Sequence, residues 1–108
     1  MEKIKIFWTK NAQNNLLAIY SFISNDSEVY AEKFTERLVL ICNRQLLVFP
    51  NSGRNVPEFR NTSVHFLKEL IYRNYRVIYN YNTKLNKVSV LAIINAKMNL
   101  QKNLLPEL

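Results

Sequence analysis

The chain opens on an alternation. In Lys3-Ile4-Lys5-Ile6-Phe7-Trp8 polar and apolar residues trade places before two aromatics, the period of a short strand with one buried face. The period then becomes helical: Ala12, Leu16, Ile19 (or Tyr20) and Ile23 recur at helix spacing, and Thr9 is placed to cap the start through its hydroxyl. Beyond Asn25-Asp26 a second helix is expected, capped by Asn25 or Ser27 and carrying Glu28 as an anion in its first turn. Ala31, Phe34, Leu38, Ile41, Cys42 and Phe49 continue its apolar period until Pro50 stops it. So short and polar a connection makes the pair an antiparallel hairpin. Trp8, Ala12, Leu16, Phe34 and Leu38 are read as core.

Residues 51–63 lose all period and carry loop chemistry, with Gly53, Pro57 and several asparagines. Three strand-like runs rich in Val, Ile, Leu and Tyr follow at 64–71, 75–81 and 87–95. Their hairpin-length connections predict an antiparallel meander covered on one face by the helix pair. In the middle run Tyr75, Val77, Tyr79 and Tyr81 share one face, and Arg76, Ile78, Asn80 and Asn82 the other. The expected fold is α+β: an N-terminal strand and an antiparallel helix hairpin packed on a mainly antiparallel sheet ending in a three-stranded meander. One domain is expected to span residues 1–108. The 15 asparagines read as compositional.

Composition narrows the function. At 48% hydrophobic and 21% charged residues the chain resembles an ordinary globular domain, able to bury a core without staples. Cys42, the single cysteine, lies in the apolar run Leu38-Val39-Leu40-Ile41-Cys42 and reads as a small buried hydrophobe. With one Cys and one His a zinc site would have to be built almost wholly from carboxylates, so no metal is expected. Gly53 is the only glycine, which excludes glycine-rich phosphate loops, and no cofactor is expected. No apolar stretch approaches a membrane span and the N-terminus lacks a signal-peptide core, so the expected compartment is the cytoplasm, with no membrane partner.

Charge is unevenly distributed. The net charge is +7; residues 1–53 hold six basic and five acidic residues, residues 54–108 nine and three. The second half is the one suited to a nucleic acid or an acidic protein.

The order strand, helix hairpin, loop, meander coincides with a set of residues that resembles the RelE/ParE superfamily of type II toxin–antitoxin toxins. These are Trp8 with Ala12, Leu16 and Ile19-Tyr20; Ala31 and Phe34; Pro50-x-x-Gly53-Arg54-x-Val56-Pro57-Glu58; Lys68-Glu69-Leu70; and Tyr75-Arg76-Val77-Ile78-Tyr79, together spanning about residues 4–95. The resemblance implies a small cytoplasmic toxin of plasmid-stabilisation type, neutralised by a cognate antitoxin. It also implies one of two activities. RelE-like members cut messenger RNA on the ribosome, and ParE-like members poison DNA gyrase by protein contact.

Cutting RNA through its own 2′-hydroxyl needs a proton acceptor, cations on the phosphate and a donor to the leaving oxygen. Arg76 matches the arginine of the Tyr-Arg strand that contacts phosphate in RelE-like nucleases. With Glu69 as base and Lys97 as a further cation it forms the catalytic set expected if the chain is a nuclease. Where nuclease members often show a His-x-Arg-Arg pattern, or an arginine followed by a tyrosine, this chain reads Asn95-Ala96-Lys97-Met98. An amide cannot shuttle protons, and no tyrosine follows. ParE-like contact with gyrase is therefore favoured, and Arg54, Arg76, Asn95 and Lys97 are the residues expected to bind phosphate or target. A toxin fold that has lost toxicity is a third reading.

Each candidate has a structural alternative. Glu69 is either a base or the ion-pair partner of Arg76 or Arg54. Arg54 and Glu58 either bind a partner or hold the loop. His65 is not at a family catalytic position and reads as structural or surface. Tyr72, Tyr75, Tyr79 and Tyr81 read as sheet packing before base stacking. Leu100, Leu104 and Leu105, with Pro106 as a stop, suggest a short helix or a tail that orders on binding the antitoxin.

Overall fold

In chain order the elements are β1 (Lys5–Trp8), α1 (Lys10–Ser24), α2 (Glu28–Val48), β2 (Arg54–Asn55), a 3₁₀ turn (Pro57–Phe59), β3 (Lys68–Tyr72), β4 (Tyr75–Asn82) and β5 (Lys87–Asn95). They come from a computed structural model that describes residues 3–97, so the expectation for Leu100, Leu104 and Leu105 lies outside the described residues. The sheet order is β1-β5-β4-β3-β2, with β1 parallel to β5 and every other pair antiparallel. This is the expected α+β arrangement.

Both helix starts form as the sequence indicates. The Thr9 hydroxyl accepts the Ala12 N–H at 3.1 Å, and the Ser27 hydroxyl, not Asn25, accepts the Tyr30 N–H at 3.1 Å. Each cap satisfies a backbone donor that the first helical turn leaves without a partner. Along α2 the inward row is Ala31, Thr35, Leu38, Cys42 and Leu46. Phe49 does not extend it: the helix ends at Val48, Leu46 takes the next inward place, and the Phe49 ring is exposed. Burial pushes the Cys42 thiol up to about 12, which makes it an unreactive packing group. The Trp8 indole N–H donates to Asn43 Oδ1 at 2.9 Å and ties β1 to α2.

The sheet is roofed on both faces. On one, Ala12, Ile19, Leu38, Cys42 and Leu46 of the helices meet Val77, Tyr79, Val88, Val90 and Ile93. On the other, Val56, Phe59 and Leu67 cover Ile78, Leu91 and Ala92. The second roof is the segment expected to be irregular. It instead holds β2, which pairs Arg54 with Glu69 and Asn55 with Lys68, and the 3₁₀ turn. Residues 64–67, expected to open the first meander strand, lie outside it, with 64–66 in turns: the Thr62 carbonyl accepts the His65 N–H, and the Val64 carbonyl accepts the Leu67 N–H. These local bonds use groups that a strand would have offered to β4.

A β-bulge between β4 and β5 decides how α1 docks. Ile78 pairs with Ala92 but Tyr79 pairs with Val90, leaving Leu91 as the extra residue. The phase of β5 flips there, so Val88 and Val90 face the helices before the bulge and Ile93 after it. β1 ends at Trp8, opposite Val90, leaving the edge of β5 beyond it without a neighbouring strand among the described residues. Side chains of α1 take over: Asn11 Nδ2 donates to the Leu91 carbonyl at 2.9 Å, Thr9 Oγ1 donates to the same carbonyl at 3.2 Å, and Asn15 Oδ1 accepts the Ile93 N–H at 2.9 Å. Asn11 and Asn15, one helical turn apart, thus stand in for a missing strand. The asparagines are not merely compositional, since Asn43, Asn82 and Asn86 also serve, the last with φ 51° in the β4–β5 turn. Arg73, in the β3–β4 turn, holds φ 54° with no glycine or asparagine to ease it.

Asn15→Ala is expected to leave the Ile93 N–H without an acceptor and to cost about 1–2 kcal/mol in urea unfolding. Asn14→Ala, on the exposed side of the same helix, is expected to change stability by less than about 0.5 kcal/mol. Equal effects would contradict the role given to Asn15.

Candidate functional site

The charged residues singled out by sequence meet on the roofed face that the helices do not cover. Glu69 on β3 is opposite Ile78, and Arg76 on β4 is opposite Ile71, so the two side chains sit diagonally across neighbouring strands. Glu69 Oε1 accepts Arg76 Nε at 2.7 Å, and Glu69 Oε2 accepts Arg54 Nε, from β2, at 2.5 Å. The two terminal nitrogens of Arg76 donate to the two oxygens of Glu58, on the 3₁₀ turn, each at 2.6 Å. The result is a chain of four charges, Arg54–Glu69–Arg76–Glu58, balanced in sign. Its middle is dry: the Glu69 side chain is 0% exposed and that of Arg76 5%, against 23% for Glu58 and 58% for Arg54. The forked bond to Glu58 and the contact with Glu69 outweigh burial and hold the Arg76 guanidinium further toward its charged form.

A second anchor lies beside it. The Tyr79 ring is fully buried, and its hydroxyl accepts the Gly53 N–H at 2.9 Å while donating to the Pro50 carbonyl at 2.8 Å. Burial raises the pKa of this hydroxyl, which keeps the proton it donates. Gly53 passes so close that a Cβ there would lie 2.6 Å from the Tyr79 hydroxyl and 2.8 Å from the Glu69 carbonyl. The only glycine of the chain is therefore required by contact rather than by a turn.

Among the residues expected to bind phosphate or target, the fold unites Arg54 and Arg76 through Glu69 and leaves Asn95 and Lys97 elsewhere. Asn95 pairs with Tyr75 at the far end of β5, about 10 Å along the strands and about 14 Å across them from Arg54. There its side chain accepts the Lys97 N–H at 2.9 Å, and the Ala96 N–H donates to the Asn74 carbonyl. Both Asn95 and Lys97 are exposed. The catalytic set of Arg76, Glu69 and Lys97 is likewise divided: the first two face each other inside the roof and the third lies at the sheet end. Of the two readings given to Glu69 and to Glu58, the folded chain displays the ion pair and the loop-holding contact. Tyr79 stacks nothing from solvent. Its hydroxyl role escaped the sequence, although a tyrosine on a buried strand face needs a partner for its polar end.

In this arrangement the charges can fix the roof on the sheet. A reacting molecule outside the fold reaches Arg54 and the rim of Glu58, and it does not reach the Glu69 carboxylate. No helix among the described residues is long and apolar enough to cross a membrane.

Comparison with known proteins places these features. A family model described as the ParE toxin of the type II toxin–antitoxin system parDE matches residues 6–100. Among curated proteins nothing matches. Among solved structures, the fold is similar to a chain of the chromosomal ParDE system of P. aeruginosa, with a TM-score of 0.69 at 19% identity over 88% of this chain and 98% of that one. It is also similar to a chain of the RelBE2 toxin–antitoxin complex of Mycobacterium tuberculosis, with a TM-score of 0.65 at 13% identity over 87% and 99%. An arginine-substituted E. coli toxin RelE in the free state aligns with a TM-score of 0.51 at 13% identity over 89% and 86%.

Because the Glu69 carboxylate is dry and holds two cations, Glu69→Gln is expected to destabilise the fold by about 3 kcal/mol. Arg54→Ala, at the exposed end of the chain of charges, is expected to cost no more than about 1 kcal/mol. Urea titration of the two variants checks the ranking, and a cost for Arg54→Ala as large as that for Glu69→Gln would overturn it.

Proposed function

The chain belongs to the ParE toxin family of type II toxin–antitoxin systems, and from this premise we propose that it is held inactive by a cognate antitoxin and, once freed, inhibits DNA gyrase by protein contact. The observation that carries the choice of contact over RNA cleavage is the state of its charged residues. Arg76 and Glu69, the pair a nuclease would turn toward RNA, are directed at each other and at Glu58 and Arg54 under the roof. At the end of β5 the exposed groups are an amide, Asn95, and an ammonium, Lys97, neither of them suited to taking up a 2′-hydroxyl proton at neutral pH. Arg54, Asn95 and Lys97 remain as cationic and hydrogen-bonding contacts for a target surface, and Arg76 serves the fold by tying Glu69 and Glu58 into the roof.

The antitoxin reading has two supports. An apolar groove of about 390 Å³ runs between α1 and β5, lined by Ala18, Phe22, Tyr75 and Ile94, and another of about 400 Å³ runs between the helices, lined by Leu16, Val39 and Leu40. Phe22 is 73% exposed, an apolar surface suited to an amphipathic segment. The excess of basic residues beyond residue 53 adds attraction for acidic side chains on that segment.

Brief induction in bacterial cells, with labelled thymidine and methionine followed side by side, tests the target. DNA synthesis is expected to fall first while translation continues. Translation falling first would replace the gyrase reading with ribosome-dependent cleavage of messenger RNA, and unchanged growth would mean a fold that has lost toxicity. Phe22→Glu is expected to weaken protection by the co-expressed antitoxin while leaving the arrest intact; full protection would remove the α1–β5 groove from the antitoxin's footprint.

A further inference from the structure

The roof contains a recess that neither the ion pairs nor the proposed contact uses. Asn55, Val56, Pro57, Arg60 and His65 line a cavity of about 200 Å³, with the buried Val56 among its walls. Arg60 is exposed and makes no ion pair among the described residues. The His65 ring is held from behind, its Nδ1 lying 3.0 Å from the Thr62 carbonyl oxygen and its face edge-on to Phe66. That carbonyl can only accept, so Nδ1 carries a hydrogen and Nε2 is the ring atom left for a ligand. Lys68 Nζ donates to Asn55 Oδ1 at 3.4 Å, which leaves the Asn55 NH₂ as a donor.

The charged side chain lining the recess beside His65 is Arg60. Glu58, the acidic residue of the 3₁₀ turn, has both oxygens on Arg76. A guanidinium, an amide NH₂ and an imidazole Nε2 surround one small volume. We propose that this recess is an oxyanion site that takes a phosphate group, bound by Arg60 and Asn55, with His65 Nε2 accepting from a phosphate hydroxyl. Its walls close round the ligand more than those of the open grooves beside the helices. That shape suits free phosphate or the terminal phosphate of a nucleotide, and not a phosphodiester within a strand. The site is independent of whether the toxin acts on gyrase.

Inorganic phosphate and sulfate are the first probes, because phosphate keeps a hydroxyl near neutral pH that can donate to His65 Nε2 and sulfate has none. His65 is the only histidine of the chain. Sulfate, inorganic phosphate and adenosine monophosphate are titrated into the ¹⁵N-labelled chain at constant ionic strength while the amides of residues 55–65 are followed. Saturable shifts confined to that segment are expected, with inorganic phosphate bound several-fold more tightly than sulfate. Arg60→Gln is expected to weaken binding about tenfold. His65→Leu is expected to abolish the preference for phosphate over sulfate, and Lys84→Gln, in the distant β4–β5 turn, to change nothing. Tighter binding of the monophosphate than of inorganic phosphate would identify a nucleotide terminus as the ligand, and the reverse would identify free phosphate. Shifts spread over all the basic residues, or an affinity unchanged in Arg60→Gln, would overturn the proposal.

Discussion

The buried pair of Glu69 and Arg76 is the constraint on which the rest of the roofed face depends. A carboxylate and a guanidinium placed in a dry sheet face are tolerated only when each finds full compensation, and an uncompensated partner there costs several kcal/mol. Glu69 obtains a second cation from Arg54, which requires β2 to lie alongside β3. Arg76 obtains a forked acceptor from Glu58, which requires the 3₁₀ turn to lie over β4. Two strand residues therefore dictate where the segment between α2 and β3 runs. Tyr79 and Gly53 secure the start of that segment, and Phe59 and Leu67 fill the space beneath it. With no disulfide available, these contacts do the work of a staple.

The helical half was legible because each signal was local. Thr9 and Ser27 cap, Pro50 stops, and the apolar period picks out Ala12, Leu38 and Cys42 without reference to the rest of the chain. The alternation of Tyr75, Val77 and Tyr79 against Arg76 and Ile78 likewise named the two faces of β4. What it did not name was the second roof, since a two-residue strand and a single 3₁₀ turn carry no period. The β5 bulge was hidden for a related reason: the run at 87–95 is apolar on both sides of the phase change, so one extra residue leaves no trace in the pattern. Its consequence, the use of Asn11 and Asn15 as edge partners, could be seen only once β1 was known to stop at Trp8. Phe49 misled because an apolar residue at a helix end keeps the period after the helix has ceased to bury it.

The candidate site shows the same division. Arg54, Glu58, Glu69 and Arg76 were all visible as charged residues in a recognisable order, and either role fitted each of them. Spacing along a strand cannot tell a charge that faces a target from one that faces its neighbour. Burial decides it, and burial came from the segment without a period. In this member of the ParE family the inner charges hold the roof, and Arg54, Asn95 and Lys97, the residues proposed to meet a target, are the exposed ones.

The claim that the inner charges are structural is tested most directly by replacing them together. In Glu58→Leu/Glu69→Met/Arg76→Met the ion pairs give way to apolar side chains of similar size, an exchange that can be neutral or stabilising where removal of one partner is not. With folding verified by amide spectra, growth arrest on induction is the measurement. The folded triple variant is expected still to arrest growth. A folded variant that is harmless would contradict it and return Arg76 and Glu69 to the acting surface.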